Sequence, residues 1–159
     1  MTKALLFVCL GNICRSPSAE AVMNAMIEKA GQTANFTCDS AGMINNHEGE
    51  RADSRMRRHA SRRSYDLTSI SRQFKSRTDF DKFDLIIGMD DQNIAYLKSQ
   101  ARNGDDMKKI VNMTDYCSKF THFKTVPDPY YGGDAGFELV LDLLEDACEG
   151  LLNQLNGKL

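Results

Sequence analysis

The 159 residues contain no tryptophan, no apolar stretch of membrane-spanning length and no large surplus of either charge, the net charge being −2. The first apolar run, from Ala4, is cut short by Gly11, Asn12 and Arg15, so neither a spanning helix nor a signal peptide is expected. A near-neutral balance gives no overall attraction to nucleic acid or to a membrane. Five cysteines, Cys9, Cys14, Cys38, Cys117 and Cys148, are an odd number, which speaks against a secreted disulfide framework and for a cytoplasmic chain. Cys9 and Cys14 have no second Cys/His pair at a ligand spacing, so no metal is expected. His47, His59 and His122 are isolated, and each reads as a surface or packing residue. Cys38, Cys117 and Cys148 fall among strand-like or helical residues and read as inert buried thiols. A hydrophobic fraction of 42% and a charged fraction of 26% are those of a globular protein with its own core.

What is present is concentrated between Ala4 and Ala30. Ala4 to Val8 is an unbroken apolar run, as a parallel strand covered on both faces requires. The loop Cys9-Leu10-Gly11-Asn12-Ile13-Cys14-Arg15 follows. Ser16-Pro17 then opens a helix, where a serine can cap and a proline loses nothing by lacking an N–H. Glu20 suits the positive end of that helix. Ala19, Val22, Met23, Met26, Ile27 and Ala30 share one face. Backbone N–H groups in a loop beside a helix N-terminus make a concave nest for a phosphate-sized anion. Arg15 adds a planar fork of donors. The same positive field favours thiolate over thiol, which places Cys9 as a nucleophile. Gly11 is not followed by Gly-Lys-Ser/Thr, so this is not a nucleotide P-loop.

Proline occurs three times, once after Ser16 and twice around Asp128, as Pro127 and Pro129. Two flanking prolines restrict the directions of the Asp128 carboxylate. By itself Pro-Asp-Pro is an ordinary turn.

Val8-Cys9-Leu10-Gly11-Asn12-Ile13-Cys14-Arg15-Ser16-Pro17, with Asp128-Pro129-Tyr130-Tyr131 downstream, closely resembles the low molecular weight protein tyrosine phosphatases, over essentially the whole chain. The resemblance implies hydrolysis of phosphotyrosine, and of small aryl phosphates, without a cofactor. Cys9 attacks phosphorus, Arg15 and the loop amides hold the oxyanion, and Asp128 protonates the departing phenoxide and later activates water. The substrate implied is a phosphotyrosine protein, with inorganic phosphate or similar oxyanions in the same site. Asn12, Ser16 and Ser40 match positions that hold the loop by hydrogen bonds. In many relatives a histidine completes this network, where Ser69 stands here. Tyr130 and Tyr131 form one wall of the substrate cleft, with Leu10 and Ile13 at its floor. The opposite wall is usually aromatic, and Asn46 falls there. Cys14 is either a small buried residue or a partner for Cys9 in a protective, reversible disulfide.

Three rivals have specific requirements. A thiol-dependent arsenate reductase needs further cysteines, and none lies between Cys38 and Cys117. A protein arginine phosphatase typically has threonine in place of Ile13. A non-catalytic phosphotyrosine-binding module needs neither Cys9 nor Asp128.

Farther along, Asn35 to Ser40 predicts a second strand ended by Ala41-Gly42, then a long loop from Met43 to Asp53. Ser54 is a candidate cap for a helix to about Ser64, and a turn is expected near Ser69–Arg72. Between Arg51 and Arg77 lie nine Lys/Arg and two acidic residues, Asp53 and Asp66. A solvated basic face accounts for this; attraction of acidic phosphoproteins is a second account, and nucleic-acid binding, without interleaved aromatics, the weakest. Phe83 to Met89 predicts a third strand, Asp90 or Asp91 the cap of a helix with Ile94, Leu97 and Ala101 inward, and Lys109 to Met113 a fourth strand. Gly136 to Leu155 predicts a final helix buried through Phe137, Val140, Leu144, Ala147, Leu151 and Leu155. The alternation implies one α/β domain over residues 1–159, in three layers: a four-stranded parallel sheet flanked by helices, with the phosphate-binding loop after strand 1.

Overall fold

Leu5, Leu6, Phe7 and Val8 are wholly buried because their strand, β1 (Lys3–Cys9), runs through the middle of a sheet covered on both faces. The computed structural model describes residues 2–130 and 132–157. After β1 come α1 (Arg15–Lys29), β2 (Phe36–Gly42), α2 (Ser54–Ser61), α3 (Ser76–Lys82), β3 (Leu85–Gly88), α4 (Asp91–Gln100), α5 (Gly104–Lys109), β4 (Ile110–Asn112), a 3-10 turn (Met113–Tyr116) and α6 (Asp134–Leu155). The four strands are parallel in the order β2-β1-β3-β4. The period of two along β1 sends Leu5 and Phe7 to the core under α1 and α6, and Leu6 and Val8 to a second core with Phe74, Phe80, Phe83, Ile86 and Leu97. These are the three layers. Each wholly buried Leu, Ile or Phe contributes about 1.5–3 kcal/mol, so β1 and its neighbours anchor the domain.

The chain steps from β1 to β2 on one side and returns to place β3 on the other. That reversal opens a crevice beyond the carboxyl ends of β1 and β3, where open α/β sheets bind ligands.

Several boundaries differ from the sequence expectation. α1 begins at Arg15, so Ser16 lies inside its first turn and is not its cap; among the described residues no side chain caps this helix. Ala30 is exposed past its end. β2 continues past Ser40 because Ala41 and Gly42 still pair with Val8 and Cys9. Gly42 is required there, since a Cβ would stand 3.0 Å from the Gly11 carbonyl carbon and the Leu10 oxygen. Asp53 rather than Ser54 caps α2, accepting from the N–H groups of Arg55 and Met56. α2 ends at Ser61, ahead of Ser64, whose φ is +68°. Asp90 caps α4 in a capping box with Asn93. α3 and α5 were not expected, being too short and polar to show a helical period.

His59 is buried on α2 and ties it to α6: its ring nitrogens meet Glu138 and Asp134, and the ring stacks on Phe137 at 5.3 Å. Asp146 fixes the segment before the site in a similar way. Its buried carboxylate accepts from the N–H groups of Ser118, Lys119 and Phe120 at 3.1, 2.9 and 2.9 Å. Burial works against its charge, but the Phe120, Ser118 and Lys119 N–H groups outweigh burial and hold the carboxyl below its ordinary value of 3.8. A carboxyl depressed in the folded state stabilises above its unfolded pKa, and that stabilisation is lost as pH falls through the lower folded value. Asp146→Ala is accordingly expected to cost about 3 kcal/mol in urea unfolding at pH 7. The difference from the parent should shrink below pH 3.8; a cost that stays constant into acid would detach it from this charge.

Candidate active site

The loop between β1 and α1 is shaped by where its carbonyls go. Cys9 and Leu10 give theirs to the N–H groups of Met43 and Ile44, at 2.9 and 3.1 Å. Gly11 O accepts from Ser71 Oγ at 2.9 Å, Ile13 O from Asp53 N at 2.8 Å, and Cys14 O from Ser18 Oγ at 2.7 Å. With its carbonyls bound outward, the loop turns its N–H groups toward the concave side, at the positive end of α1. Asn12 makes the turn with φ +57°, a left-handed conformation that a short amide side chain tolerates. It is held there from behind: Nδ2 donates to Ser16 Oγ at 2.7 Å, and Oδ1 accepts from Arg72 N at 3.0 Å.

Ser16 is fully buried with its hydroxyl 3.1 Å from Cys9 Sγ and 3.4 Å from Ala41 O. Asn12 and Ser16 therefore present no side chain to the cavity; both act from behind the loop. Ser40 Oγ donates to Glu20 Oε1 at 2.6 Å, one turn beyond Ser16 on α1. Burial pushes the Glu20 carboxyl up, against the pull of the Ser40 and Ser69 hydroxyls. Glu20 thus serves β2, not the helix terminus as the sequence suggested.

Arg15 is 2% exposed. Its Nη1 donates to Asp90 Oδ2 at 2.7 Å and to Val126 O at 3.0 Å, and Nη2 lies 3.7 Å from Asp128 Oδ2. Burial opposes its charge, but Cys9, Asp90 and Asp128 outweigh burial and keep the guanidinium firmly protonated. Asp90 uses its other oxygen to cap α4, 2.8 Å from Asn93 N, so the end of β3 fixes the fork of Arg15. Val126 N donates to Met89 O at 2.8 Å, bringing the Asp128 segment to the same crevice. Asp128 Oδ1 accepts from Tyr130 N at 3.0 Å, which leaves Oδ2 toward Arg15.

These groups border a cavity of about 270 Å³ lined by Cys9, Leu10, Gly11, Ile13, Cys14, Arg15, Ile44, Asn46, His47, Asp128 and Tyr130. Leu10, expected at the floor, is at the exposed rim. Tyr131 lies outside the described residues. Asn46 is on the wall, but the ring that meets Tyr130 belongs to His47, at 6.3 Å between centroids. His47 can lie there because Gly11 has no side chain: a Cβ would come 3.2 Å from its ring. The sequence reading had set His47 aside as a surface or packing residue. It also missed Ile44, Ser71, Arg72 and Asp90, of which only Asp90, at a strand's carboxyl end, carried a local signal. Burial, with Asp53 and Cys9 adding to it, pushes the Cys14 thiol well up. Cys38 and Cys117 are pushed up to about 12, chiefly by burial, and are half-buried rather than fully enclosed. Among the described residues no group of His, Cys, Asp and Glu is arranged to hold a metal ion.

Loop amides and a guanidinium around a thiol would cradle a tetrahedral oxyanion with its centre toward the sulfur, the arrangement of a cysteine-dependent phosphoryl-transfer enzyme. A model of the low molecular weight phosphotyrosine protein phosphatases matches residues 4–159. A putative low molecular weight protein-tyrosine-phosphatase of Synechocystis is 50% identical, over 98% of each chain. Among solved structures, a protein tyrosine phosphatase from Entamoeba histolytica with Hepes in its active site superposes with a TM-score of 0.93, at 48% identity over 99% of this chain and 100% of that one. YfkJ from Bacillus subtilis superposes with a TM-score of 0.90, at 36% identity over 99% and 97%. The chain belongs to the low molecular weight phosphotyrosine protein phosphatase family, and is an enzyme of it.

Proposed function

We propose that this chain hydrolyses phosphotyrosine in proteins through a phosphocysteine on Cys9, with Arg15 as oxyanion clamp and Asp128 as general acid and then base. The observation that carries the reading is the convergence of Cys9, Arg15 and Asp128 on one cavity. The phosphate dianion settles among the loop amides and Arg15. Cys9 Sγ attacks phosphorus in line as Asp128 gives its proton to the tyrosyl oxygen, so the P–O bond breaks as the P–S bond forms. Asp128 then takes a proton from water, whose oxygen attacks phosphorus and releases the thiolate. Ser16 Oγ, beside the sulfur, is placed to stabilise it in both steps. Inorganic phosphate is the second product, and Hepes, a sulfonate, in the Entamoeba relative supports an oxyanion-binding site. All five cysteines are free thiols, a state that the cytoplasm preserves and that supports placing the chain there. The test is phosphate release from an aryl phosphate compared with alkyl phosphates and phosphoarginine. A strong preference for the aryl ester is expected; a preference for phosphoarginine would overturn the reading.

The walls make a separate prediction. An aromatic contact adds about 0.5–1.5 kcal/mol beyond area burial, so removing a wall ring should weaken aryl binding roughly threefold to tenfold. His47→Ala is expected to raise KM for aryl phosphates by that factor and to leave kcat within a few-fold. A fall in kcat with unchanged KM would place His47 in the chemistry instead.

A further inference from the structure

Nine Lys/Arg lie between Arg51 and Arg77, and the structure divides them. Arg55 is paired with Asp53, Arg63 with Glu138, Asp142 and Glu145, and Arg72 with Asp39 and Asp79. Arg51, Arg57, Arg58, Arg62, Lys75 and Arg77 form no ion pair among the described residues. Three of these six, Arg51, Arg57 and Arg58, line one groove of about 290 Å³, with Ser54, Ser61 and Tyr65 beside them and Asp66 as the one carboxylate among the described residues that line it. Helical spacing puts Ser54, Arg57, Arg58 and Ser61 on one face of α2, opposite Met56, His59 and Ala60, which are buried. The Tyr65 hydroxyl is turned away, donating to Glu145 at 2.6 Å.

The groove begins beside the cavity. Asp53 N donates to the carbonyl of Ile13, which lines the cavity, and α2 starts at the next residue. Arg51, two residues before Asp53, is about 7 Å of chain away. The eight residues of α2 carry the groove about 12 Å farther. An extended peptide, at about 3.3–3.6 Å per residue, covers that range in roughly two to six residues.

We propose that this groove is a docking surface for an acidic stretch of the protein substrate, two to six residues from the phosphotyrosine. It deepens the phosphotyrosine reading above and rests on it. Three guanidiniums against one carboxylate select an anionic occupant, and an unpaired arginine fork meets peptide carboxylates in two-point contact. Arg55, Arg63 and Arg72 are neutralised by carboxylates of the fold, and of the other six charges Arg51, Arg57 and Arg58 are the ones that converge on a groove.

The experiment compares kcat/KM for a phosphotyrosine peptide carrying four glutamates at those distances, on either side in turn, with its alanine counterpart. At low ionic strength the acidic peptide is expected to be preferred about tenfold, falling to less than about twofold at high salt. The double variant Arg51→Glu, Arg58→Glu should lose the preference and keep aryl-phosphate turnover within about twofold. Arg77→Glu, a basic residue on α3 outside the groove, should keep the preference. Persistence of the preference in the double variant overturns the proposal, as does an equal loss in Arg77→Glu. Binding of the same acidic peptide without its phosphate, by fluorescence anisotropy, reads the groove with no chemistry involved. The parent should bind it more tightly than the double variant, whatever the aryl-phosphate assay says of the reaction itself. An RNA oligonucleotide that displaces the peptide at lower concentration than polyglutamate of equal charge would overturn the assignment to a protein.

Discussion

Cys9→Ser is expected to lower aryl-phosphate turnover by about 10⁴-fold or more and to leave phosphate binding within a few-fold. The two halves of this result have different physical origins. In the proposed mechanism binding belongs to the loop amides and to Arg15, whose geometry is set by Asp90 and by the outward-bound carbonyls of Cys9, Leu10, Gly11, Ile13 and Cys14. None of these depends on the sulfur. Turnover depends on a nucleophile that attacks phosphorus at neutral pH, which a thiolate does and an alcohol does only after a base has taken its proton. Among the described residues the neighbour at hydrogen-bond distance from Cys9 Sγ is the Ser16 hydroxyl, which is no base, so a serine at position 9 would have no base in contact with it. Phosphate release measures turnover, and thermal protection by inorganic phosphate measures binding. Even modest turnover in this variant would remove Cys9 from the role of nucleophile.

The loop was legible in the sequence because everything that makes it is contiguous. An apolar strand, a seven-residue loop and a helix follow one another between Ala4 and Ala30, and the helix N-terminus needs no distant partner to attract an anion. Asp128 was legible in another way. Pro-Asp-Pro is an ordinary turn, and only the family resemblance gave it a chemical role. The groups that hold the loop come from elsewhere: Met43 and Ile44 from the end of β2, Ser71 and Arg72 from a segment bridged to it at Gly42–Gln73, and Asp90 from the end of β3. Their side chains carry no periodic signal, and their partners lie thirty to seventy-five positions away. The choice of cap on α2 failed for a narrower reason. Asp53 and Ser54 are adjacent and both accept hydrogen bonds, so composition does not separate them; Asp53 wins because its N–H is already fixed to Ile13 O.

That bond also links the helix to the cavity. Arg55, in the first turn of α2, donates to Tyr130 O at 2.9 Å and lies over the rings of Tyr130 and Phe137. The Ile13 side of the loop and the Tyr130 side of the cavity are thus both braced by one short helix. The sequence showed this helix as a basic run; in the structure its N-terminal residues, Asp53 and Arg55, hold two walls, its Met56, His59 and Ala60 face is buried, and the opposite face stays charged toward solvent.

Asp128→Asn is expected to lower kcat/KM for phenyl phosphate by about 10²–10⁴-fold and to affect esters of more acidic phenols much less. The substitution is nearly isosteric. An asparagine carbonyl still accepts from Tyr130 N, and Pro127 and Pro129 still restrict the backbone, so the side chain keeps its direction over the cavity. What it loses is the ability to give a proton to the leaving oxygen. A phenoxide that is stable as an anion departs without that proton, whereas a basic one does not, so the deficit should grow steadily with the basicity of the leaving group. The measure has to be kcat/KM, because it ends at formation of the phosphocysteine and excludes its hydrolysis, in which the proposed mechanism uses Asp128 again as a base. A carboxylate that served only to position Arg15, at 3.7 Å, would produce a loss of the same size for every ester, since in the proposed mechanism Arg15 holds the phosphate common to them all. A plot of log kcat/KM against leaving-group acidity separates the two cases. A steeper slope in the variant assigns the proton to Asp128, and a parallel line displaced downward would assign it elsewhere.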